Sequence, residues 1–148
     1  MTKYGNDPHK AIINGETYSF RSKLEHRYAG YLELLRRADE IEGWEYEPEY
    51  YDFEEIDHGV TRYLPDFKVF YADKTFELHE CKGALDGKSK TKLRRMRKYY
   101  PDIHIVLVID RLPAGRTAKS RHRRSQILDL CGKHGIQLFQ ISTLSIMR

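Results

Sequence analysis

The chain is poor in cysteine, with only Cys81 and Cys131 in 148 residues. Two thiols without metal-ligand spacing exclude a disulfide-stapled secreted scaffold and a zinc finger. A reduced, intracellular setting is the simplest expectation. Long apolar runs are also missing. None approaches the ~20 residues of a membrane-spanning helix, so no membrane partner is expected. Met1-Thr2-Lys3-Tyr4-Gly5 lacks the apolar stretch of a secretory signal. There is no glycine pattern of a nucleotide phosphate loop, no internal repeat and no low-complexity tract. With 40% apolar and 32% charged residues, the chain reads as folded rather than disordered. Its length suits one domain, residues 1–148.

Acids are scarce in the second half. Residues 83–148 carry 15 Lys/Arg against 4 Asp/Glu, whereas residues 1–82 carry 11 against 18. Such segregation points to a polyanion partner for the second half. The cations form two groups. Lys88, Lys90, Lys92, Arg94, Arg95, Arg97 and Lys98 crowd a segment without a single acid to pair within a helix. Leu93, Met96 and Tyr100 would face inward there. The second group is Arg116, Lys119, Arg121, His122, Arg123 and Arg124. It falls at an expected helix start, where cations oppose the favoured sign of charge. Both groups suit phosphate contact better than a merely solvated face.

Residues 1–17 look irregular, with turn signals at Gly5-Asn6-Asp7-Pro8 and Asn14-Gly15. A helix is expected from Phe20 or Lys23 to Ala38, with Leu24, Tyr28, Tyr31 and Leu35 as its buried stripe. Ser22 suits its N-cap, and Glu25 stands at the capping-box position. The acidic, aromatic segment 44–57 reads as extended, with Pro48 marking an edge. Strands are expected at Tyr63–Tyr71 and Thr75–Lys82, joined at Ala72-Asp73-Lys74. A helix over Lys90–Tyr100 leads to an aliphatic strand at Ile103–Ile109 that should run parallel to the preceding one. A helix over Ala118–His134, ended by Gly135, precedes a last strand at Ile136–Ile141. The order αβββαβαβ describes an α/β domain, a mixed sheet flanked by helices.

Pro65-Asp66-Phe67 and Glu80-Cys81-Lys82 stand out on the two strand arms. Glu80 and Lys82 leave one strand face together with Phe76 and Leu78. A buried acid and amine must be paired or bind something. Two carboxylates and a lysine suit metal-dependent phosphodiester cleavage. Glu25 admits two roles: a capping-box side chain, or a third carboxylate in the site. On spacing alone the cap is the better account.

These stretches resemble a PD-(D/E)xK nuclease. More narrowly, the chain is similar to the phage endonuclease I family of Holliday-junction resolving enzymes, over about residues 19–139. The matching stretches are Phe20-Arg21-Ser22-x-Leu24-Glu25, Tyr46-Glu47, Tyr63-x-Pro65-Asp66-Phe67 and Glu80-x-Lys82-Gly83. Tyr100-Pro101-Asp102 and Cys131-x-Lys133-His134-Gly135-Ile136 also match. The interval from Asp66 to Glu80 is longer than in the family, and the strongly basic tail of some relatives is missing.

The resemblance implies a restriction-endonuclease-like core and catalytic residues Glu25, Asp66, Glu80 and Lys82. It implies Mg²⁺ or Mn²⁺ held by Asp66, Glu80 and the Cys81 carbonyl, with Glu25 ligating or positioning a second metal. Lys82 would orient the attacking hydroxide and stabilise phosphate charge. The expected partner is branched DNA, and the expected location is the host cytoplasm if the protein is phage-encoded. The expected assembly is a homodimer, with segment 44–57 as an arm that swaps the Glu25 helix between chains. Two other readings stay open. One is a recombination, transposition or restriction nuclease acting on duplex or flap DNA. The other is a non-catalytic branched-DNA-binding protein.

Overall fold

The computed structural model describes residues 9–147, with the side chains of 145–147 set aside. The Gly5–Pro8 turn signal lies outside the described residues. The segment expected to be irregular instead forms a hairpin of β1 (His9–Ile13) and β2 (Glu16–Phe20). Asn14 and Gly15 both take positive φ, 52° and 81°. A tight hairpin turn needs that pair of angles to match strand twist. The turn signal was legible, whereas the mixed polarity of the flanking residues hid the strands.

Helix α1 (Lys23–Arg37) begins at Ser22, whose Oγ accepts the Glu25 N–H at 3.1 Å. Tyr28, Ala29 and Leu32 are fully buried, while Leu24, Tyr31 and Leu35 flank them half-buried. The buried face is therefore rotated from the expected stripe, because the hairpin and the sheet both cover this helix.

The remaining strands are β3 (Gly43–Tyr46), β4 (Tyr51–Asp52), β5 (Arg62–Tyr63), β6 (Phe67–Phe70), β7 (Phe76–Cys81), β8 (His104–Ile109) and β9 (Gln137–Gln140). Five of them form one mixed sheet in the order β3-β6-β7-β8-β9. The β3–β6 and β6–β7 pairs are antiparallel, and the β7–β8 and β8–β9 pairs are parallel. Helix α2 (Gly87–Tyr99) links β7 to β8, and α3 (Ala118–His134) links β8 to β9. Counting only this sheet and its helices, the order αβββαβαβ holds. The small β4–β5 pair and a 3₁₀ helix at Ile141–Met147 are additions.

The single strand expected at Tyr63–Tyr71 is two. Pro65 has no N–H for a ladder, so the chain leaves β5 and re-enters pairing as β6. Helix α2 starts earlier than expected because Asp86 caps it, accepting the Ser89 N–H at 2.7 Å. Gly135 ends α3 at φ 61°.

The sheet is sandwiched. On one face Phe20, Tyr28 and Leu32 meet Phe67, Val69, Val106 and Val108. On the other, Leu93, Met96, Leu130 and Tyr63 meet Leu78, Ile105 and Leu107. Each fully buried large apolar side chain contributes roughly 1.5–3 kcal/mol. Two such cores can bear a few buried carboxylates, provided each is hydrogen-bonded. The architecture is compatible with a restriction-endonuclease-like core. Among the described residues no helix is long and apolar enough to cross a membrane.

Candidate active site

The break at Pro65 builds the site. Phe67 pairs with His79, so one step back along the same register sets Asp66 opposite Glu80, where β7 ends. Each acid is strapped to a backbone N–H of the facing arm. The Asp66 N–H donates to Glu80 Oε1 at 3.2 Å, and the Cys81 N–H donates to Asp66 Oδ2 at 2.8 Å. Buried Tyr63 adds its hydroxyl to Glu80 Oε1 at 2.7 Å. Lys82 Nζ lies 3.5 Å from Glu80 Oε2. As the alternation requires, His79 points to the other face, where its Nδ1 meets the Tyr28 hydroxyl at 2.5 Å.

Glu25 arrives from α1 at the same place. Its carboxylate takes the Tyr46 hydroxyl on Oε1 at 2.6 Å and the Ser22 hydroxyl on Oε2 at 3.3 Å. The Arg21 N–H reaches Oε1 at 3.4 Å. Capping and site roles therefore coexist. The cap fixes the first turn, and that turn delivers a buried carboxylate to the cleft. Glu25, Asp66, Glu80, Cys81, Lys82 and Lys92 all line this cleft of about 320 Å³. The helix and the sheet of the described chain thus bring these residues to one place. In segment 44–57, Tyr51 and Phe53 are buried in the core, and Trp44 Nε1 donates to Glu33.

Burial pushes the Asp66 carboxyl well above the usual aspartate range, and the charges of Glu80 and Glu25 push it further. The Cys81 N–H and Lys82 pull the other way. Burial also raises Glu80, against Lys82, the Tyr63 hydroxyl, the Asp66 N–H and Lys92. Tyr63 and Tyr46 are raised too, first by burial and then by the carboxylates beside them. Both phenols therefore stay protonated and serve as fixed donors. The Cys81 thiol is buried against the α1-side core and raised by that burial.

The donor set fits Mg²⁺. Each acid has one oxygen tied by N–H or O–H donors. Of the other two, Asp66 Oδ1 receives no such donor among the described residues, and Glu80 Oε2 faces only the Lys82 ammonium at 3.5 Å. Mg²⁺ is held by one or two carboxylates and otherwise by water and substrate phosphate. Among the described residues no three His, Cys, Asp or Glu close around one point. A zinc cage is therefore a poor fit, and Glu25 lines the same cleft beside the acid pair.

The basic residues divide. Lys92 of α2 enters the cleft. Lys88, Arg94 and Lys98 are exposed and Lys90 is half-buried. Arg95 and Arg97 serve the fold, donating to the Val60 and Ile103 carbonyls. Arg121 and Arg124 tie down the preceding loop through Gly115 O and Pro113 O. Arg116, Lys119 and Arg123 are exposed.

Sequence reasoning missed the site roles of Tyr46, Tyr63, Arg21, Glu47, Tyr50 and Arg62. The signal for the first two was alternation. Tyr46 sits between two glutamates, and Tyr63 precedes Pro65-Asp66 on the inward face of a strand.

Compared with known proteins, residues 1–113 match the model of a family described as a protein of unknown function, DUF1064. That span contains all four catalytic candidates and α2. No curated protein and no solved structure matches the chain.

Proposed function

The chain belongs to the DUF1064 family, and from the cleft it carries we propose that it is a Mg²⁺-dependent, structure-specific DNA endonuclease, of the junction-resolving kind. The observation that carries this reading is the pair Asp66 and Glu80, each accepting a backbone N–H from the facing arm, with Lys82 beside them at one end of the sheet. Ligands of open α/β sheets bind outside the carboxyl ends of the strands, and β7 ends here. The basic surface of α2 follows directly and supplies phosphate contacts.

Asp66, Glu80 and the Cys81 carbonyl would hold Mg²⁺ or Mn²⁺. When bound, the ion would polarise the phosphate and lower the pKa of water. Lys82 places positive charge where the scissile phosphate gains negative charge. Lys92 adds a second cation to the same cleft. Glu25, locked by Tyr46 and Ser22, offers a fixed carboxylate to orient the attacking water. A two-fold dimer would suit the two cleavable strands of a junction.

The test is digestion of labelled junction, flap, duplex and single-stranded DNA with Mg²⁺ and with a chelator. Cleavage should require the metal and favour branched substrates. Asp66→Asn and Glu80→Gln should lower the rate by roughly 10²–10³, about 3–4 kcal/mol of transition-state stabilisation. Both should still bind DNA, since each removes negative charge. DNA binding without cleavage in the unaltered protein would make it a branched-DNA-binding protein.

A further inference from the structure

Residues 47–50 form the lip of the cleft, and their backbone is held under constraint. Glu47 takes φ 47°, unusual for a side-chain-bearing residue and more so directly before a proline. Contacts on both sides enforce it. The Glu47 N–H donates to Asp66 O at 2.8 Å, and its carboxylate pairs with Arg21 at 3.0 Å. Two residues on, Glu49 Oε1 accepts from Lys68 Nζ at 2.7 Å and from the Tyr51 hydroxyl at 3.1 Å.

Directly after these two pinned glutamates stands Tyr50. It remains 49% exposed, and the Arg62 guanidinium lies 3.8 Å from its ring centroid. Neighbouring tyrosines are committed: Tyr46 to Glu25, Tyr51 to Glu49 and Tyr63 to Glu80. Tyr50 alone of these offers an open ring, and both it and Arg62 line the cleft that holds Asp66, Glu80 and Lys82. A rigidly held, solvent-facing aromatic beside a phosphate-cleaving site has an evident partner. Every base has a π-face, and stacking on an aromatic ring is tolerant of sequence. Arg62 covers one side of the ring and adds positive charge for the backbone.

We propose that Tyr50 and Arg62 form a platform that stacks an unpaired base beside the scissile phosphate, so that the preferred substrate is branched DNA with an unpaired nucleotide at the branch point. This rests on the nuclease reading above. In continuous duplex the faces of each base are already stacked. Reaching the platform would then require unstacking, and duplex should gain little from Tyr50.

The experiment compares the intact protein with Tyr50→Phe and Tyr50→Ala. Binding and Mg²⁺-dependent cleavage are measured on a flap DNA and on the fully paired duplex of the same sequence. 2-Aminopurine is placed in turn at unpaired positions flanking the cut. Stacking on a single aromatic leads to an expected affinity loss for the flap of roughly 5- to 150-fold in Tyr50→Ala. The duplex should change little, and Tyr50→Phe should behave as the intact protein. 2-Aminopurine fluorescence should be quenched by the intact protein and by Tyr50→Phe, and restored in Tyr50→Ala. Equal losses on flap and duplex, no loss on either, or a Phe variant as weak as the Ala variant would overturn the platform while leaving the nuclease reading intact. No binding of either DNA by the intact protein would overturn both. Tyr50 is half exposed, so equal thermal melting of the three proteins is expected and excludes misfolding as the cause.

Discussion

At the scale of single residues, the site is two acids that an apolar sheet would ordinarily reject. Asp66 and Glu80 stay because backbone N–H groups and a buried phenol satisfy one oxygen of each. Their raised pKa values have a definite consequence. Burial and mutual repulsion keep a proton on the pair into a pH range where an ordinary aspartate has lost it. The pair shares that proton. A cation needs both acids ionised, so binding should displace the proton. Apparent Mg²⁺ affinity should therefore rise with pH, by up to about tenfold per unit while one proton is exchanged, and level off once both acids are ionised. Calorimetry in two buffers of different ionisation enthalpy should show a buffer-dependent heat. A heat and an affinity indifferent to buffer and pH would mean both acids are already charged.

At the scale of elements, α1 is fixed at both ends by carboxylates. Glu25 joins its first turn to β3 through Tyr46. Glu33 joins its later turns to the same strand through Trp44 Nε1 at 3.1 Å. Arg36 donates to Glu33 at 2.6 and 2.8 Å and, despite burial, holds its carboxyl down at about 2. A depressed folded pKa stabilises the fold above the unfolded value, near 4.3 for glutamate. That stability is lost as pH falls towards 2. In urea denaturation, Glu33→Gln should be less stable than the unaltered protein above about pH 5, and the difference should shrink as pH drops towards 2. A constant difference across that range would assign Glu33 a packing role only. Such ties were not legible beforehand. Helical spacing revealed α1 and Ser22, and aliphatic composition revealed β8, because these depend on neighbours in sequence. The β1–β2 hairpin, the split at Pro65 and the phenols on Glu25 and Glu80 depend on what folds against them. Of the site, Asp66, Glu80 and Lys82 were readable from spacing. Glu25 was ambiguous because its cap geometry is real and still leaves the carboxylate in the cleft.

At the scale of the molecule, the four residues Glu25, Asp66, Glu80 and Lys82 meet within one chain. The sequence suggested an arm at 44–57 because it is aromatic and acidic; Tyr51 and Phe53 enter one core and Trp44 and Tyr46 flank the other, while Tyr50 stays open. Complementation separates an in-chain site from a swapped one. A Glu25→Gln chain co-refolded with a Glu80→Gln chain should recover no cleavage if each site takes all its residues from one chain. Restored cutting of one strand would show that α1 changes places between protomers. The basic half of the sequence does not become a uniform basic surface. Lys92 enters the cleft, while Arg95, Arg97, Arg121 and Arg124 brace the scaffold.

Glu25 belongs to the layer on one side of the sheet, and Glu80 and Lys92 belong to the other. They meet at the end of the sheet, at the margin of both cores. The cleft thus works as a vernier between two layers that are otherwise independent. A slip of one layer over the sheet by a fraction of a hydrogen-bond length would misalign the marks. Both cores would stay buried, and the protein would lose its alignment long before it lost its shape.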